Sequence, residues 1–435
     1  MKKLKVLDLS NCFHVKRTPN FSTSANLERL ILYRCVSIVE VDGLICHLNR
    51  LVSLEARHCL NLQRLPDELG GCLASLEYLS LKNCRSLERL PHTIGNLESL
   101  SELNISGTSI KELPDSIGKL KNLKVVKMGE SNLSKIPDAF WTIEKLEEID
   151  AHKKYDIEHF HVKIGNCIYR NQSLRILKLK SADIYELPKL PESLIELKLW
   201  ELNVDTFPDL SNLTNLKILN LSFGVPNDDV KSNALVEDPM PRWIGDFSKL
   251  ESLALRSPYV TTSPTDLTLP PHLKSLHLRC PNMRRLPRLP STLSSLCLQF
   301  CYSLRSVEDL SNLKKLSTLE IWHGAISEIP GLGCLENLRD LKFWSLGQVE
   351  ILPDLSKLNK LRRLRVAWCD NLIEIQGELP KSLEVLKIFS CESFQKLPDL
   401  SSLNELQMVA TNHCGKLNVE AISRLCSEKS IRFLR

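Results

Sequence analysis

The sequence predicts an α/β solenoid: a stack of short parallel strands lining one concave sheet, with an irregular or short-helical return path on the convex side. Three observations predict it. The phrase Leu-x-x-Leu-x-Leu recurs about eighteen times along the chain, as at Leu76, Leu79 and Leu81. A cysteine follows in many copies, as at Cys84, and Leu-Pro closes the phrase, as at Leu90 and Pro91. A period of this kind means units that bury their apolar faces against neighbours rather than around one common core.

Taken at the first leucine, units begin at residues 4, 27, 51, 76, 100, 123, 146, 174, 194, 216, 250, 273, 293, 316, 338, 361, 383 and 403, mostly 20 to 25 apart. That spacing falls inside the period of leucine-rich repeats, roughly 20–29 residues. Alternate side chains of a strand point to opposite faces, so the leucines go inward and the residues between them look out. Stacked strands then form the parallel concave sheet of a curved horseshoe.

Eight cysteines share one slot: Cys12, Cys35, Cys59, Cys84, Cys280, Cys301, Cys369 and Cys391, seven of them eight residues after the first leucine and Cys280 seven after. A buried free thiol acts there as a small hydrophobe. Zinc asks for tight paired cysteines, and Cys297 with Cys301 comes closest. An odd total of fifteen, regularly spread, predicts reduced thiols in an intracellular setting, cytoplasmic or nucleo-cytoplasmic, rather than a disulfide framework.

The Leu-Pro pair fits the exit turn, since proline fixes φ and needs no amide partner. Pro114 to Leu120 reads as one helical turn after a proline, whereas the short units at 174–193 and 273–292 leave room only for an extended return. Two units are long. That at 146–173 contains Tyr155 to His161, and that at 216–249 contains Pro226 to Pro241. Such insertions go into loops, either functional or neutral. Glu158, His159 and His161 there read as a decorated loop or a weak metal site. The solenoid is expected over residues 1–423, with 424–435 as a tail or the start of a post-repeat domain. Because the repeat begins at Leu4, with no signal segment or capping unit ahead of it, the chain reads as a part of a longer protein.

A formal charge of +5 is small for this length and demands neither nucleic acid nor membrane. No apolar run approaches a membrane span. There is no glycine-rich phosphate loop, and Cys59, adjacent to His58, belongs to the core, where thiols are inert. The sequence therefore points to no enzyme, metal or cofactor, and to a protein-binding surface in an isolated domain expected to be monomeric.

Six or seven residues after the first leucine, outward positions become aromatic: Trp200, Phe300, Trp322, Trp344, Trp368 and Phe389, with Phe223 at the same place and Tyr33 near the start. Trp141 and Trp243 read as convex packing residues. Basic residues interleave, notably Lys342, Arg362, Arg363 and Arg365. Large aromatics and arginine dominate binding energy at interfaces. The competing readings are rings packed on one another, or a single-stranded nucleic-acid platform; Glu196, Glu320, Asp340 and Glu384 oppose the second.

The stretches Leu4 to Cys12, Leu87 to Pro91 and Ile110 to Gly118 resemble the leucine-rich domain of plant intracellular immune receptors, of the class with a Toll/interleukin-receptor-like domain and a central nucleotide-binding domain. The resemblance covers essentially the whole chain. It implies a domain that packs on the nucleotide-binding domain to hold the receptor off and senses a pathogen effector through late concave strands. Sensing would fall to Trp322, Trp344, Arg362, Arg363, Arg365, Trp368 and Phe389, and the intramolecular contact to the early units around Lys5, Arg29 and Arg57. The nucleotide motifs and the Toll-like domain are not in this chain. The substrate-recognition horseshoe of a ubiquitin-ligase adaptor is the alternative; its repeats are longer and lack Leu-Pro.

Overall fold

The computed structural model describes residues 3–134, 136–152, 164–180, 187–202, 204, 206–224, 239–264 and 266–434. Glu158, His159, His161 and most of the loop from Pro226 lie outside the described residues. The chain forms two compact units, Met1–Leu216 with Ser222–Gly224, and Lys217–Leu221 with Val225–Arg435.

In the first unit the strands Val6–Asp8, Arg29–Ile31, Ser53–Glu55, Tyr78–Ser80, Glu102–Asn104, Val125–Lys127, Glu148–Ala151, Ile176–Lys180 and Glu196–Leu202 pair in sequence order, each parallel to the next. In the second, Ser252–Arg256, Ser275–Arg279, Ser295–Gln299, Thr318–Trp322, Asp340–Trp344, Arg363–Ala367, Val385–Phe389, Met408–Ala410 and Arg432–Leu434 do the same. Register aligns like with like: Leu341 faces Leu364 and Leu364 faces Leu386, all three fully buried. Because the register never slips, each outward position becomes a row of side chains across successive strands, about 4.8 Å apart.

That register moves one boundary. Leu386 faces Val409, so the unit expected to start at Leu403 starts at Leu406. Cys414, eight residues after Leu406, then joins the cysteine slot. The slot does more than pack. Cys35, Cys59 and Cys84 donate to the carbonyls of Leu9, Leu32 and Ala56 in the preceding unit at 3.0, 2.8 and 2.7 Å. Cys280, Cys301 and Cys414 make the longer equivalents to Leu255, Leu278 and Ile388. Thr108 and Ser131 stand in the same slot, buried, and donate to Ile105 and Met128 of their own units. The position is thus a buried donor site.

Just before it lies a second recurrent feature. Asn11, Arg34, His58, Asn83, Glu130, Glu201, Phe300, His323, Ser345, Trp368, Ser390 and His413 all have φ between 46 and 62°, with Gly107 at 70°. The left-handed turn aims the backbone N–H at the next unit: Asn83 donates to Ser106 at 2.7 Å, Phe300 to Trp322 at 2.8 Å, and Trp368 to Phe389 at 3.0 Å. Left-handed backbone costs a non-glycine residue about 1 kcal/mol, which the added ladder bond offsets. Cys280, seven residues after its first leucine, belongs to a unit that omits this residue.

On the return path, 3-10 turns His92–Asn96, Asp115–Lys119, Asp138–Thr142 and Arg242–Ile244 begin directly after Pro91, Pro114, Pro137 and Pro241. Residues 273–292 contain no helix. Elsewhere an Asp-Leu-Ser turn recurs: Asp209, Asp309, Asp354 and Asp399 accept from the backbone N–H of the serine two residues on at 2.8–3.0 Å. Trp141 packs on Phe140 and Trp243 on Phe247. Residues 419–428 form the α-helix Val419–Glu428, and Arg432–Leu434 pairs in parallel with Met408–Ala410.

One cysteine expectation is corrected. Cys46 and Cys72 form a disulfide, their Cα atoms 5.0 Å apart. They lie outside the strand slot, on the return segments Gly43–His47 and Leu69–Cys72 of successive units, where stacking brings equivalent turns together. The cysteines of the slot are free.

Candidate functional site

The second unit carries most of the aromatic and basic residues singled out in the sequence, sorted by register into rows. One row runs Gln299, Trp322, Trp344, Ala367, Phe389. Trp322 and Trp344 stack, centroids 5.4 Å apart and planes within 14°, and the Trp322 indole donates to Glu320 at 3.3 Å. The next row runs Cys297, Glu320, Lys342, Arg365, Lys387. A third places Arg363 beside Asp340.

Phe300 and Trp368 do not lie in the tryptophan row. Both occupy the left-handed position one residue beyond it. Phe300 is sandwiched: the Arg279 guanidinium sits 4.2 Å from its centroid and the His323 ring stacks at 4.7 Å. Trp368 is 53% exposed, a large value for a tryptophan. Tyr302, 56% exposed and edge-on to Phe300, completes this patch. Sequence reasoning missed it because it lies two residues beyond the positions counted; an exposed aromatic following the cysteine was the available signal.

Trp200 belongs to the first unit, where it lies near His152 and in register with Lys180. Phe223 is no surface aromatic at all. It is 1% exposed and packs against Phe207.

Charge pairing divides the basic residues. Arg363 forks onto Asp340, Nε to Oδ1 and Nη2 to Oδ2, the latter at 2.8 Å. Arg362 reaches Glu384 at 3.4 Å from an exposed position, an ion pair of small energetic weight. Lys342 binds Glu320. Arg365 has no carboxylate partner among the described residues, and its Nε is shielded from solvent without a hydrogen bond. The first unit contrasts with this: Arg29 and Arg57 share Glu55, Lys178 and Lys198 share Glu196, Lys127 holds Glu102, and Lys5 holds Glu28.

Among the described residues no cluster of His, Cys, Asp and Glu could hold a metal ion. Burial deactivates two of the thiols named here, pushing Cys35 and Cys297 up to about 11. No described helix is long and apolar enough to cross a membrane. Such a surface is suited to binding.

Comparison with known proteins gives the same fold. The leucine-rich repeat region family matches residues 68–186. The TMV resistance protein N of Nicotiana glutinosa is 28% identical over 330 residues, which take in 72% of this chain and 27% of that protein. Disease resistance protein RPP4 of Arabidopsis thaliana is 38% identical over 78 residues, 18% of this chain and 7% of that protein. The chain thus spans less than a third of the length of these curated relatives. Among solved structures, a leucine-rich repeat protein of Leptospira interrogans shares the fold at a TM-score of 0.60 and 19% identity, covering 99% of this chain and 95% of that one. The chain is a leucine-rich repeat module similar to plant disease resistance proteins over part of their length.

Proposed function

We propose that this domain senses a pathogen effector protein as the recognition part of an intracellular plant immune receptor, through the outward face of the second unit. Trp322, Lys342, Trp344, Arg362, Arg363, Arg365, Trp368 and Phe389 form the contact, with Phe300 at its margin. The observation that carries this reading is Trp368, held 53% exposed on a strained left-handed backbone beside the Trp322–Trp344 stack. Exposed rings of this size, surrounded by cations, are what interface hot spots are made of. In the resting receptor the early units, around Lys5, Arg29 and Arg57, meet the nucleotide-binding domain.

The test is binding of candidate effectors to the domain by calorimetry. Trp344→Ala and Trp368→Ala should each weaken a genuine effector at least about tenfold, a loss of about 1.4 kcal/mol. An effector that binds both variants as tightly as the parent removes the site. Autoinhibition is tested in the full receptor, where Arg57→Glu should raise signalling without effector; unchanged resting signalling rejects it.

A further inference from the structure

We propose that the row Lys342, Arg365, Lys387 is a subsite for carboxylates on an acidic segment of the partner protein; this deepens the recognition reading above and rests on it. The register puts these three cations directly opposite one another on successive strands, about 4.8 Å apart. Like charges so placed destabilise a sheet. Glu320 relieves Lys342 at one end. Nothing relieves Arg365 in the middle: its Nε is buried from water and makes no hydrogen bond, and no carboxylate pairs with it or with Lys387 among the described residues. The fold does not require a cation there, since Ala254 and Ala410 fill the same row elsewhere in this unit.

A guanidinium with a shielded, unsatisfied Nε, set between two ammonium groups, is a cost to folding. The like-charge part of that cost is relieved when an anion arrives, and a planar carboxylate can meet the Nη nitrogens of the guanidinium. The neighbouring row offers Trp344 and Phe389 in register on either side of the small Ala367, so apolar residues flanking the acid find rings beside the charge. Glu320, Asp340 and Glu384 border the cations and repel a continuous polyanion, whereas a segment of separated carboxylates avoids them. The chemistry favours an acidic, partly apolar protein segment over nucleic acid.

The experiment uses the whole chain and an alternating Glu-Leu dodecapeptide, read by fluorescence anisotropy, with the Lys-Leu analogue and oligothymidine of equal length as comparators. The Glu-Leu peptide should bind saturably and better than either comparator. Arg365→Gln should weaken it about tenfold or more, Arg365→Lys less, and Lys387→Gln several-fold. Arg242→Gln, which breaks an exposed pair with Asp266 outside the strands, should leave it unchanged. Without peptide, Arg365→Gln should melt no lower than the parent, and higher if the like-charge cost is as large as argued. A merely structural arginine would give a lower melting temperature, and that result overturns the proposal. So does equal binding of the Glu-Leu peptide to Arg365→Gln, tighter binding of oligothymidine, or no saturable binding. If Trp344→Ala loses effector while Arg365→Gln does not, the recognition face stands and only the acid subsite falls.

Discussion

Cysteine in this chain is chosen for a weak proton donor as much as for its volume. Six of the slot thiols, Cys35, Cys59, Cys84, Cys280, Cys301 and Cys414, donate to a carbonyl of the preceding unit, and Thr108 and Ser131 donate hydroxyls within their own units. Cys84→Ser should therefore be better tolerated than Cys84→Val. Valine matches the apolar character but strands the Ala56 carbonyl, at a cost of about 1–3 kcal/mol. Urea unfolding decides the order, and valine above serine in stability would return the slot to simple packing. A second residue-level expectation concerns Gly107, whose φ of 70° and contact with Asn83 leave no space: a Cβ there would lie 2.2 Å from the Asn83 side-chain oxygen. Gly107→Ala should destabilise by at least about 1 kcal/mol, measurable in the same titration.

At the level of the element, the Asp-Leu-Ser turns fasten four of the return segments locally. Hydrogen bonds from Ser211, Ser311, Ser356 and Ser401 hold the carboxyls of Asp209, Asp309, Asp354 and Asp399 below their ordinary value. A carboxyl depressed in the folded state contributes stability that is complete above its unfolded value, about 3.9, and is lost as pH falls through the folded value. Melting temperature should thus drop in acid, and Asp354→Asn should flatten that slope between about pH 2 and 5. A slope unchanged by the substitution would place the acid sensitivity elsewhere.

These elements also show what could be read in advance. Strands and their inward leucines were legible because a period of two in Leu-x-Leu admits one parallel stack. Proline marked four of the 3-10 turns because it fixes φ at the residue leading into each. The left-handed residue was not legible: Phe300, His323, Ser345 and Trp368 share no side-chain property, since only their backbone is in demand. For the same reason the aromatics at positions six and seven looked like one stripe, and the structure separates the Trp322–Trp344 row from Trp368. Phe223 was misjudged because its backbone does not take the left-handed conformation of that position, and its ring packs on Phe207.

For the molecule as a stack, contacts between nearest neighbours decide how damage spreads. Leu364, fully buried, lies between Leu341 and Leu386. Leu364→Ala should cost about 2–5 kcal/mol, and hydrogen exchange should accelerate in Asp340–Trp344 and Val385–Phe389 but not in Ser252–Arg256 of the same unit. Uniform acceleration across the unit would mean that its repeats open together. The disulfide is tested by mass after alkylation without reductant: a bonded Cys46–Cys72 pair stays unlabelled, while two labels there mean that the cell keeps both as thiols.

The left-handed position has a consequence for how such a surface can change. Phe300, His323, Ser345, Trp368 and Ser390 stand on one repeated backbone conformation, and what joins the units is the amide of each residue, not its side chain. Altering a single codon there exchanges an aromatic for a hydroxyl or an imidazole while the architecture is inherited intact. A library randomised at those positions should yield mostly soluble, folded members with divergent ligand preferences, so the domain can follow a changing partner without first rebuilding itself.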